Sequence, residues 1–279
     1  MRTIITAEST IDLPQEVLDK YNIKTIPFGI LFGNNLQMDK FGISKEIFEY
    51  VDKTKELPKT SAIAPEQYRE FFTELKKSYD NIIHISLSSM LSSAYSNAVS
   101  VANDMEGVYV VDSRSLSTGI ALLAIYASEL NDKGKDASEI FKRVKEKTET
   151  LCVSFVIDKL NFLHKGGRCS ALSLIGASML KIKPQIIVEN GKMVVGKKYL
   201  GSLKGVIEKY VDEMLKLHPN PRLDYAFVTR SSEMTDIVEI VKGKLRDAGF
   251  RKVYDTMAGG TISSHCGPNC LGILFMDKE

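Results

Sequence analysis

Short apolar runs alternate with amphipathic stretches through the first half of the chain. Thr3 to Ala7, Ile23 to Leu31, Asn81 to Leu87 and Gly107 to Asp112 carry the β-rich pattern of strands, whereas Pro14 to Tyr21, Pro65 to Ser78, Ser92 to Met105 and Leu116 to Leu130 read as amphipathic helices. This βα alternation predicts a mainly parallel sheet with helices on both faces and right-handed crossovers. Ligands in that architecture bind at the carboxyl ends of strands. The strands here end in small hydroxyl residues: Glu8-Ser9-Thr10, Ser86-Leu87-Ser88-Ser89 and Asp112-Ser113.

Around Lys133-Gly134-Lys135-Asp136 the polarity rises and a charged helix, Ala137 to Thr150, follows. This marks the expected passage from an N-terminal α/β domain, residues 1–150, to a C-terminal domain, residues 151–279. Beyond it Leu151 to Ile157 and Pro184 to Val188 read as strands, and Asn190-Gly191 is a hairpin signal leading into Lys192 to Lys198. Amphipathic helices at Ser202 to Leu217 and Glu233 to Ala248 flank strands at Tyr225 to Thr229 and Lys252 to Thr256, and an apolar strand, Leu271 to Met276, closes the chain. The second half is therefore expected to be α+β with a mixed sheet.

Composition narrows the class. The 279 residues are 44% hydrophobic and 26% charged with only 8 Pro and 19 Gly, the profile of a folded soluble protein and not of collagen-like or low-complexity material. Lys+Arg 37 against Asp+Glu 35 leaves a formal charge of +2, which rules out a globally basic nucleic-acid coat. No apolar run reaches the roughly 18 residues needed to cross a bilayer, and the stretch before Glu8 is too short for a signal-peptide core, so a cytoplasmic location is expected. Cys152, Cys169, Cys266 and Cys270 are too few for a disulfide framework in a chain this long and read as reduced thiols.

Several motifs fail on context. Gly191 to Lys198 satisfies G-x4-G-K, but Lys198 stands where a P-loop needs Ser or Thr, and the segment opens at a hairpin and not before a helix. Ser178-Met179-Leu180-Lys181 is S-x-x-K, yet the elements that should follow it in penicillin-binding enzymes precede it. His265 and Cys266 with Cys270, completed by Cys169 or His164, lack a usual zinc spacing, and no metal is expected there.

What survives is a set of donors. Thr60-Ser61, Ser88-Ser89 with Ser92-Ser93, Gly166-Gly167-Arg168 and Ser263-Ser264-His265 each place hydroxyls or other donors at a junction or turn, with no Asp or Glu among them. Such a set suits an acceptor-only anion, a carboxylate or phosphate. The competing reading of each cluster alone is helix capping.

These motifs together resemble the DegV family, which includes the fatty-acid-carrying subunits of bacterial fatty acid kinase. Glu8-Ser9-Thr10-Ile11-Asp12-Leu13-Pro14 is similar to D-S-T-x-D-L-P with Glu for the first Asp. Thr60-Ser61 with Pro65 corresponds to T-S-Q-P-S-P, and Ile85 to Tyr95 follows I-S-L-S-S-x-L-S-G-T-Y with Ser93-Ala94 for Gly-Thr. Asp112 to Gly119 resembles D-S-x-S-x-S-x-G; Phe155 to Asp158, with Leu160, Leu163, Lys165 to Arg168 and Ser170, matches the next block, and His265 to Pro268 matches H-x-G-P. The resemblance implies a two-domain α/β carrier with a tunnel for a long acyl chain between the domains. Thr60, Ser92 and His265, with Ser61 and Ser93 beside them, would hold the fatty acid carboxyl, and Arg168, Gly166 and Gly167 would border it. It also implies a partner: an ATP-dependent kinase chain that phosphorylates the presented carboxyl, the acyl phosphate passing to phospholipid synthesis. This chain would then be no enzyme and carry no cofactor beyond its fatty acid.

Between His164 and Lys204 eight Lys and Arg face the single acid Glu189. Lys181, Lys183, Lys197 and Lys198 are the expected docking surface for the kinase or, transiently, an anionic membrane. Nucleic acid is not expected, since few aromatics interleave these lysines. Two rivals to the carrier are a serine hydrolase or acyltransferase using Ser92 with His265, which lacks an identifiable acidic orienter, and a lipid-binding regulator without a kinase.

Overall fold

The computed structural model describes residues 1–169 and 182–278. Lys181, Ser170, Ser178 and the apolar stretch 172–180 lie outside these residues. In chain order the first half forms β1 (Thr3–Glu8), α1 (Gln15–Lys20), β2 (Ile23–Ile26), β3 (Gly29–Phe32), β4 (Asn35–Met38), α2 (Ser44–Thr54) and β5 (Lys59–Ser61). It continues with α3 (Pro65–Lys76), β6 (Asn81–Ser86), α4 (Ala94–Ala102), β7 (Val108–Asp112), α5 (Thr118–Asp132) and α6 (Ala137–Lys147). The second half forms β8 (Leu151–Val156), α7 (Leu160–Gly166), β9 (Ile182–Glu189), β10 (Lys192–Leu200) and α8 (Leu203–Leu217), then β11 (Ala226–Arg230), α9 (Thr235–Asp247), β12 (Val253–Met257), α10 (Gly260–Cys266) and β13 (Leu271–Met276).

Two sheets carry the α/β fold that the alternation predicts. The N-terminal one is wholly parallel, in the order β2-β1-β6-β7. Its central strands β1 and β6 are buried along their whole length, as strands covered on both faces must be. The C-terminal sheet is mixed, β10-β9-β8-β13-β11-β12, with β11 and β12 parallel and the other neighbours antiparallel. The hairpin between β9 and β10 turns at Asn190 and Gly191, whose φ values of 51° and 79° are those of a type I′ turn.

Alternation sorts the side chains of the second sheet. Val153, Phe155, Phe227 and Leu274 face the first half, while Cys152, Val156, Val228 and Phe275 pack under α8 and α9. Between the sheets lies α5, buried at eleven of its fifteen residues, the pattern of a helix enclosed on all sides. It packs on β1 and β6 and also on β8 and β13, so one apolar cluster is continuous across both sheets.

The reading of Ile23 to Leu31 as one strand is corrected. Pro27 has no N–H to donate, and the chain breaks there into β2, in the parallel sheet, and β3, in a third small antiparallel sheet ordered β4-β3-β5.

Candidate functional site

A cavity opens between the two main sheets, with about 970 Å³ of atom-free space including the part continuous with solvent, at the upper end of what small-molecule sites occupy, roughly 300–1,000 Å³. Its walls from the first half are Leu87, Leu91, Leu116 and Phe28, all just past the carboxyl ends of parallel strands, where such sheets place their ligands. The facing wall is Phe155, Met193 and Leu274 of the mixed sheet, with Gly272 leaving space.

The small sheet and α10 build the polar end. β5 carries Thr60, set opposite Ile30 of β3, and α10 carries His265; Thr60 Oγ1 and His265 Nε2 share a hydrogen bond of 2.9 Å. Asp39, directly after β4, holds α10 in place. Its carboxylate accepts from the backbone N–H of Gly260 (2.6 Å) and Thr261 (3.1 Å) and from the hydroxyls of Thr261 (2.6 Å) and Ser9 (3.0 Å). Gly260 permits this approach, because a Cβ there would lie 2.1 Å from Ile30 Cδ1 and 2.6 Å from Ile43 Cγ2. Gly166, the last residue of α7, is glycine for a similar reason: a Cβ would fall 2.5 Å from His265 Nδ1.

Ser92, Ser93 and Arg168 line the same cavity as Thr60 and His265. Ser92 Oγ accepts from Ala94 N–H at 3.2 Å, so it serves the start of α4 as well. The Arg168 guanidinium is exposed and donates to the Gly166 carbonyl at 2.7 Å.

The match to known proteins now decides the family. Residues 2–278 fit the family described as "Uncharacterised protein, DegV family". The chain belongs to the DegV family. A DegV relative from Thermotoga maritima named "Fatty acid-binding protein" is 27% identical over 285 residues, covering 98% of this chain and 96% of its own. The crystal structure of DegV from Bacillus subtilis, described as a fatty acid binding protein, superposes with a TM-score of 0.86 at 28% identity over the full length of both chains. The fold is shared further with the Streptococcus pneumoniae Fatty Acid Kinase (Fak) B3 protein, solved loaded with linoleic acid, at TM-score 0.85 and 20% identity over the whole of both chains.

Not every expected residue of this DegV site reaches the cavity. Ser61 is exposed and its hydroxyl donates to the Ala62 carbonyl at 3.4 Å, because alternation on β5 turns it away from Thr60. Gly167 caps the end of α7 at φ 69° and is exposed, and neither it nor Gly166 lines the cavity. Ser88 donates to the Gly191 carbonyl (2.7 Å) and Ser89 to Asp112 (2.5 Å), so both are spent on the fold. Ser263 to His265, expected in a turn, lie on α10. Of the docking lysines, Lys183 pairs with Asp158 and is half-buried, and Lys197 pairs with Glu213 at 2.6 Å. Lys183 is thus largely enclosed, whereas Lys197 and Lys198 are both exposed.

Glu8, Asp12 and Ser117 stand in the motifs quoted above, but their buried partners are set by the fold. Glu8 is fully buried yet its carboxyl stays below the usual range: burial pushes it up, but the neighbouring His84 charge and hydrogen bonds from His84, Ser86 and Tyr68 outweigh that. Ser117 lines the cavity at φ 52° and ψ −139°, a conformation costly for a side chain, and donates to Asp12 Oδ2 at 2.5 Å. Burial, with Asp39 nearby, pushes the Asp12 carboxyl well up against the opposing hydrogen bonds from Ser117 and Gly259.

Burial, and secondarily the Arg168 charge, pull the His265 imidazole down to about 4. It is therefore neutral at pH 7, a donor or acceptor and not a counter-ion. A hydrolase triad is not assembled around it: Nε2 is engaged with Thr60 and Nδ1 is buried without a hydrogen-bond partner, so no carboxylate orients the ring among the described residues. The low value has a stability consequence. Well above pH 6.5 neither state is protonated and the full stability is present; as pH falls through 6.5 toward 4 the unfolded chain takes up a proton that the folded one refuses. Urea unfolding at pH 7.5 and 4.5 should show wild type losing about 2–3 kcal/mol more than His265→Gln over that interval. An equal loss in both proteins would show that His265 titrates normally.

Proposed function

We propose that this chain is a cytoplasmic carrier that takes a long-chain fatty acid tail-first into the cavity and holds the carboxyl group at Thr60, Ser92 and His265, with Ser93 and Arg168 at the border. The carboxyl is presented to a separate ATP-dependent fatty acid kinase, and the acyl phosphate moves on to phospholipid synthesis. The observation that carries this reading is the convergence of the Thr60–His265 pair, Ser92, Ser93 and Arg168 on one apolar-walled cavity. Uncharged donors suit an ionised carboxyl that must stay reactive: they offset its desolvation without locking it in a salt bridge. The names of the Thermotoga and Bacillus relatives support the ligand class, and the motif resemblance supports the kinase.

On this reading residues 1–150 and 151–279 act as two domains closing on the tail. Lys197 and Lys198 then stand at the docking surface, Lys183 is engaged with Asp158, and Lys181 lies outside the described residues. No helix among the described residues is long and apolar enough to cross a membrane, and any bilayer contact in this scheme is transient. Mass spectrometry of organic extracts from freshly purified protein tests the ligand: about one long-chain fatty acid per chain is the expected yield. Extracts empty of fatty acid even after lipid feeding would refute the carrier.

A further inference from the structure

On the face of the mixed sheet turned away from the cavity, three side chains distant in sequence meet. Cys152 opens β8, His218 ends α8, and Asp277 follows β13. Strand pairing brings the first and last together, with Asp277 N–H donating to the Thr150 carbonyl at 2.9 Å. Cys152 Sγ lies 3.1 Å from His218 Nδ1 and 3.2 Å from Asp277 Oδ2, and Nδ1 lies 2.7 Å from Oδ2. The His218 ring is set edge-on against Phe275, centroids 5.5 Å apart.

The choice of nitrogen separates two roles for such a trio. A thiol nucleophile needs the imidazole between its partners, one ring nitrogen for the sulfur and the other for the carboxylate. Here sulfur and carboxylate both address Nδ1, so three ligand atoms converge on one point and no relay is formed. A second observation concerns the same carboxylate: its other oxygen, Oδ1, is shut off from solvent with no hydrogen-bond partner, a deficit that a cation on the carboxylate would relieve.

We propose that Cys152, His218 and Asp277 bind a divalent transition metal of the zinc class, at a site separate from the lipid cavity. The mixed sulfur, nitrogen and oxygen set suits zinc and disfavours magnesium or calcium, which take oxygen. Tetrahedral coordination with bonds of roughly 2.0–2.3 Å puts ligand atoms roughly 3.3–3.7 Å apart, so the present separations have to widen by roughly 0.3–0.8 Å. On binding, the Cys152 thiol gives its proton to water as the metal–sulfur bond forms, His218 ligates through Nδ1 with its proton on Nε2, and water takes the fourth position. The ion would join the start of β8, the end of β13 and the end of α8, at one end of the two central strands of the sheet. Cys152 entered the sequence reading only as a reduced thiol, since its partners lie 66 and 125 residues away.

Cobalt(II) titration of the untagged, chelator-treated full chain is the test. One equivalent should produce the visible bands of four-coordinate cobalt and a thiolate charge-transfer band, which zinc displaces one for one. Cys152→Ser should abolish the charge-transfer band, and His218→Ala and Asp277→Asn should each weaken cobalt binding at least tenfold. No charge-transfer band in wild type, or one that persists in Cys152→Ser, overturns the proposal. Alkylation of folded wild type keeps the question open to decision if the variants unfold: zinc should slow modification of Cys152 at least tenfold and leave Cys169, Cys266 and Cys270 unchanged. Equal protection of all four thiols, or of none, counts as refutation.

Discussion

Asp39→Ala should lower the unfolding free energy by about 4 kcal/mol or more, since hydrogen bonds to a charged group contribute about 1.5–3 kcal/mol each and their loss here orphans buried donors. The carboxylate is buried and receives four donors, two of them the opening N–H groups of α10. Alanine leaves those N–H groups without an acceptor, because Gly259 at the cap position has no side chain to replace it. The damage should reach the site, since α10 carries Thr261, Ile262, His265 and Cys266, all lining the cavity. Denaturant unfolding followed by circular dichroism measures the loss. A change under 1 kcal/mol would show that water or Asp12 takes over the cap.

The same residue explains why part of the site was not legible in the sequence. Periodicity reports local geometry, and it placed the four parallel strands, the buried α5 and the β9–β10 hairpin. Ser263 to His265 read as part of a glycine-rich turn because the helix that holds them has no side-chain cap of its own: Gly259 stands at the cap position, and the acceptor arrives from Asp39, 221 residues away. Pro27 was visible but its consequence was not, because only the third sheet gives β3 somewhere else to pair. That sheet explains how the polar end is assembled: β5 positions Thr60, and the residue after β4 anchors the helix bearing His265. Glu8 likewise looked like an ordinary strand end, and only the fold brings His84, Tyr68 and Ser86 to its carboxylate. Thr60, Ser92, Arg168 and His265 were singled out by motif matching, which does not depend on how the residues come together, and the fold sets all four around one cavity.

Decanoate should bind the purified, delipidated protein three to four orders of magnitude more weakly than hexadecanoate. Each buried methylene contributes about 0.8 kcal/mol, so six fewer remove about 5 kcal/mol, and every 1.4 kcal/mol is about tenfold in affinity. The head group should behave differently. A hydrogen bond exchanged for water contributes only about 1 kcal/mol net, so Thr60→Val or His265→Ala should weaken hexadecanoate binding about tenfold or less. On the proposed function, transfer of phosphate by a partner kinase should fall at least about a hundredfold in the same variants, because a misplaced reacting oxygen affects the rate far more than the occupancy. Displacement of a fluorescent fatty acid gives the affinities, and radiolabelled phosphate the transfer. Tail-length dependence below tenfold would mean that the apolar walls around Leu87, Phe155 and Leu274 do not enclose the chain. An equal fall in binding and transfer would mean that the polar end supplies affinity and not direction.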